Sequence, residues 1–120
     1  MAYQLRHKEF GLFQGECLGM SWWYPLSEMP EQGICKFETM EDALWFKNLL
    51  VNYADCSLSA ADIVIEEFDE QLHFDLMKKG FVHCILRDLK NMQERPEDMN
   101  LWRSILRDDL KELKKLVIKM

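Results

Sequence analysis

The chain has 120 residues and a formal net charge of −6, with 48% of its residues hydrophobic and 30% charged. That length suits a single domain able to bury a core without disulfides or metal, and the balance argues against a disordered tail. No apolar run approaches the roughly 20 residues of a membrane span, and residues 1–10 lack the basic-then-apolar pattern of a secretory signal, so a cytoplasmic protein is expected.

Residues 3–19 alternate with a period of two on either side of a turn ending at Gly11, which predicts a β-hairpin with Gly15 and Gly19 at bulge or bend positions. The extended chain continues through "MSWWYP" and stops near Pro25, because proline cannot donate to a ladder. Adjacent side chains of a strand point to opposite faces, so Trp22 and Trp23 cannot share a core. Alternation puts either Trp23 alone, or Trp22 with Tyr24, opposite the main core. An uncovered indole is costly in water, so that side needs a cover: the C-terminal helices, a second copy of the chain, or another partner. Trp22, Trp23, Tyr24 and Met20 are therefore candidate interaction residues.

A loop with two prolines leads to "ICKFE", read as a short strand. Thr39 followed by "MED" marks a helix start, with Ala43, Phe46, Leu50 and Tyr53 at helical spacing. "ADIVIEEF" is a further strand, with Ile63 and Ile65 on one face and Val64 and Phe68 on the other. Asp69 then caps a helix that Gly80 interrupts or kinks and Pro96 ends. The last helix carries one stripe of Trp102, Ile105 or Leu106, Leu113, Leu116, Val117 and Met120. The order predicts the α+β class: a mostly antiparallel sheet of four to five strands with one helix on a face, followed by a C-terminal helical hairpin. One domain, 1–120, would comprise a sheet-plus-helix part, 1–68, and a helical extension, 69–120.

Charge is unevenly divided. Residues 1–75 contain four Lys/Arg against fourteen Asp/Glu, and residues 76–120 contain eleven against seven. Arg103, Arg107, Lys111, Lys115 and Lys119 recur every fourth residue as a basic ridge able to track phosphates, although interleaved acids and the acidic remainder oppose a polyanion. The economical reading sets the acidic segment around Glu66–Asp75 against this helix.

No catalytic grouping, phosphate loop or metal-ligand spacing is present in the sequence, so no cofactor or metal is expected. Cys17, Cys35, Cys56 and Cys84 are read as reduced thiols. The leading expectation is an acidic, non-enzymatic protein-interaction module, an accessory or inhibitory factor of a larger assembly, with self-association through the aromatic surface as a variant. A nucleic-acid-associated factor using Arg103, Arg107 and Lys111 is the second reading. The third is a small-ligand binder or enzyme built from His7, Glu16, Cys17 and the aromatics.

Overall fold

The structure, a computed structural model, describes residues 1–119. Four strands, β1 (Tyr3–His7), β2 (Gly11–Cys17), β3 (Met20–Pro25) and β4 (Ile63–Glu67), form one antiparallel sheet in the order β3-β2-β1-β4. Three helices follow the expected places: α1 (Met40–Leu49), α2 (Glu70–Glu94) and α3 (Met99–Lys119). The α+β class and the C-terminal helical hairpin are thus as the sequence predicts.

Both helix starts are capped by the predicted side chains. Thr39 Oγ1 accepts from the Asp42 amide at 3.1 Å, and Asp69 Oδ1 from the Leu72 amide at 3.0 Å. The β2–β3 register shifts between Phe13 and Gly15, leaving Gln14 as the extra residue of a bulge. Gly11 is indispensable to this pairing. Its φ is +99°, and a Cβ there would overlap the carbonyl of Tyr24 on the neighbouring strand.

The chain itself covers one face of the sheet and part of the other, where Arg6 and Val64 stay exposed. On one, Leu5, Phe13, Trp23 and Ile63 join Ala43 and Leu50 of the α1 region, with Phe37, Leu58 and a half-buried Phe46. On the other, Leu12 and Ile34 meet Leu76 of α2, flanked by Tyr24, Phe68 and Leu72. Gln4, which alternation assigns to the wet side, is buried beneath the start of α2. Its amide donates to Glu66 at 2.6 Å and accepts from the Asp69 amide at 3.1 Å, so burial leaves neither end unpaired.

Three expectations need correction. "ICKFE" forms no strand; only Phe37 bridges to Tyr3, through paired backbone bonds of 2.7 and 2.9 Å. Tyr53 is 79% exposed, because the end of the first helix widens into a π turn over Leu50–Ala54 and the extra residue rotates Tyr53 out while Val51 and Ala54 pack inward. Gly80 does not interrupt α2, which runs unbroken for 25 residues. Its function is close approach: a Cβ at Gly80 would overlap the backbone of Glu31 in the 3-10 turn Pro30–Gln32.

Gly80→Ala is accordingly expected to destabilise by about 1–2 kcal/mol, the overlap outweighing the roughly 1 kcal/mol that alanine normally gains inside a helix. Thermal melting checks this. A raised Tm would show that the turn does not rest on the helix.

The molecule is elongated, 50 × 31 × 20 Å with a radius of gyration of 16.9 Å, against about 14 Å for a compact chain of this length. The cause is α2, roughly 37 Å long by helix geometry. Its N-terminal half lies on the sheet and the Pro30–Gln32 turn, its C-terminal half projects, and α3 packs back along it. Met120 and the side chain of Lys119, part of the predicted stripe and ridge, lie outside the described residues. None of the described helices is long and apolar enough to cross a membrane.

Candidate functional site

The paired indoles do diverge. Trp23 is 2% exposed in the main core, 5.1 Å from Phe13 and 5.6 Å from His7 between ring centroids. Its Nε1 donates to Ser21 Oγ at 2.7 Å, and that hydroxyl donates to Asp55 at 2.8 Å, giving the ring the polar partner a buried indole needs. Hydrogen bonds from Ser57 hold Asp55 below the usual carboxylate range. Trp22 and Tyr24 share the opposite face and are half-buried, while Met20 is exposed beside the β2–β3 turn. Trp23 is thereby removed from the interaction candidates, and Trp22 and Tyr24 are partly occupied by the chain's own packing.

Residues of the ligand-site reading do not converge. His7 pairs with Gly11 at one end of β2, whereas Cys17 pairs with Met20 at the other, roughly 20 Å away along the strand. The His7 Nδ1 accepts the amides of Glu9 and Phe10 at 3.1 and 3.2 Å, closing the β1–β2 turn. Among the described residues no group of three His, Cys, Asp or Glu is placed to hold a metal. All four cysteines are free, Cys17 and Cys56 being exposed and Cys35 and Cys84 half-buried.

A cavity of about 340 Å³ opens between the end of β3 and α2, lined by Tyr24, Pro25, Glu28, Pro30, Lys79 and His83. Another of about 390 Å³ continues along α2 past His83, Leu86, Arg87 and Lys90. Both are open troughs, without Trp22 or Trp23 in their walls, and neither encloses a small molecule as a ligand pocket does.

The helical hairpin presents a different kind of surface. Among the described residues of the projecting half of α2 the one buried side chain is Asp88, at 0% exposure, and among those of α3 it is Leu116, at 7%. Val82, Leu86, Leu89, Leu110 and Val117 are between 46% and 61% exposed. At about 100° per residue, the first three lie roughly 100–160° around α2 from Asp88, and the last two roughly 80–100° around α3 from Asp109 in the same rotational sense. Because the helices are antiparallel, equal senses of rotation from the seam bring both sets to one side. Half-buried Ile85, Leu106 and Leu113 fill the space between them. The result is one apolar face. Leu76 and Gly80, which contact the sheet and the Pro30–Gln32 turn, lie on the other flank, so the face is turned away from the sheet.

Arg103, Arg107 and Lys111 are exposed as the ridge requires, yet the acidic segment does not meet them. Two of its carboxylates pair elsewhere, Glu66 with Arg6 on the neighbouring strand β1 at 2.9 Å and Asp75 with Lys78 one turn along α2 at 3.5 Å. Among the described residues, Arg103, Arg107, Lys111 and Lys114 make no ion pair, because α3 packs on α2 rather than on the sheet. The expected charge match within the chain is thus absent.

The hairpin seam contains an acid pair. Asp88 is 0% exposed, and Arg87 Nη2 lies 3.1 Å from its Oδ1 and 3.8 Å from Asp109 Oδ2. Neither Oδ2 receives a hydrogen bond from another donor among the described residues, so the two carboxyls satisfy each other only when one of them holds a proton. Hydrogen bonding to Asp88, then burial and the Asp88 charge, push Asp109 up to about 6, against the opposing pull of Arg87.

Comparison with protein-family models, curated proteins and solved structures finds no match to this chain. The apolar face was missed in the sequence because its residues merge with the seam stripe. The usable signal is width: Leu106, Leu110, Leu113 and Val117 form a second 4-3-4 line beside Trp102, Ile105, Asp109 and Leu116, more than one antiparallel neighbour can cover.

Proposed function

We propose that this chain is a non-enzymatic protein-interaction module whose docking surface is the projecting α2–α3 hairpin. The observation that carries the reading is the contiguous apolar face of Val82, Leu86, Leu89, Leu110 and Val117. Scattered exposed apolar residues need no explanation, but a continuous one on a two-helix arm does. Completing the burial of five such side chains is worth about 1 kcal/mol each before association costs, enough to matter for a partner that fits.

The candidates on β3 take a lesser part in this reading. Tyr24 and the open trough beside it adjoin α2, while Trp22 and Met20 remain accessible at the sheet edge. The sheet acts as the base that holds α2 out.

The test is the pair Leu86→Glu and Leu110→Glu, made together on full-length protein. Both side chains are about half exposed or more, at 61% and 47%, so fold and thermal midpoint are expected to stay close to wild type. A stoichiometric partner recovered with wild type should be lost with the double variant. Equal recovery with both would refute the hairpin as the docking surface.

A further inference from the structure

We infer that the occupant of this apolar face is an amphipathic helix of another protein, acidic along both of its edges; the inference rests on the interaction reading above. Its first support is shape. Two antiparallel helices leave a shallow groove along their shared side, and residues 82–93 with 106–117 give it about 16 Å of length, three turns for a guest helix.

The second support is charge. Rotating past the apolar residues on α3 leads to Arg103, Arg107 and Lys114, roughly 120–160° from the seam, and on α2 to Lys79 and Lys90, at roughly 180–200°. Asp108 and Glu112, the acids interleaved in the α3 sequence, fall on the opposite flank. Cations thus lie beyond the apolar residues on both helices; those of α3 have no acidic partner among the described residues, whereas on α2 Lys90 lies 4.0 Å from Glu94. A guest with Leu-like residues at i, i+4, i+7 and i+11 and Glu or Asp beside them meets both features.

The same rim disfavours other occupants. A second copy placed by a two-fold axis would set cations against cations along both edges. A lipid surface is normally met by aromatic anchors, and the aromatic side chain of α3, Trp102, is half-buried and turned towards the seam.

The probes are two labelled synthetic helices with the same apolar positions, one edged with Glu and one with Lys, titrated into the full-length protein by fluorescence anisotropy. The Glu-edged peptide should bind at least about tenfold tighter at low salt, with the gap narrowing as salt screens the rim. In the triple variant Arg103→Glu, Arg107→Glu, Lys114→Glu, checked for intact fold by circular dichroism, the preference should invert. Equal binding of both peptides, or no binding of the Glu-edged one, overturns the inference. So does a dimer that Leu86→Glu dissolves, or tighter binding to phosphatidylserine vesicles than to the peptide. If the Leu86→Glu and Leu110→Glu variant still loses its cellular partner while peptide charge makes no difference, the docking face stands and only the acidic partner falls.

Discussion

Trp23→Ala is expected to cost about 3–5 kcal/mol, as truncation of a fully buried aromatic does, out of the 5–15 kcal/mol that holds a typical domain together. The ring is packed between Phe13 and His7 on the face that α1 covers, and its loss opens a cavity where strand and helix meet. It also leaves Ser21 without the indole donor, loosening the link from β3 to Asp55. Trp22→Ala, by contrast, removes a half-buried ring from the opposite face and should cost about 1–2 kcal/mol. Urea titration of both variants decides the matter. If Trp22→Ala proves the more damaging, the assignment of faces is wrong.

Asp109→Asn is expected to stabilise the protein at neutral pH by about 1 kcal/mol, the shift being discounted for solvent screening of a partly exposed pair. With a folded-state value of about 6 in place of 3.8, Asp109 binds its proton more tightly in the folded chain than in the unfolded one. The pair's contribution is therefore fully present below about pH 4 and is lost as pH rises through 6. At pH 7 and above, two carboxylates oppose each other across the seam with Arg87 as their one nearby cation. An asparagine amide supplies the missing donor to Asp88 at every pH. The comparison must be a difference, because carboxylates held low, such as Asp55, lose stability in the opposite direction as pH falls. Denaturation curves of variant and wild type should converge near pH 4 and separate above pH 6; parallel curves would mean that the aspartates do not share a proton.

Local signals carried most of the fold. Thr39 and Asp69 were readable as caps because a short polar side chain before a helical period has few other functions there. Gly15 was readable as a bulge neighbour for a similar reason. What the sequence hid was decided between elements far apart in the chain. Whether Trp22 or Trp23 faced the core depended on the Gln14 bulge and on which side α1 chose. Gly80 looked like a break, because only its contact with Glu31 explains an uninterrupted helix lacking a side chain there. Asp109 carries no signal of its own in the sequence, and only the antiparallel packing of α2 on α3 sets it against Asp88. The exposed apolar face was concealed in the same way, since its leucines cannot be told from seam leucines until the seam is known.

The single support of α3 fixes the order in which the native state loosens. With α2 as its main neighbour and an acid pair in the middle of their contact, α3 is expected to detach ahead of any strand, which hydrogen exchange would read as faster exchange of its amides. A guest helix closing its open side would raise the free energy of that detachment in proportion to the logarithm of guest concentration over Kd. Occupancy would then be registered as stiffening of the arm, while the sheet at its base stayed unchanged.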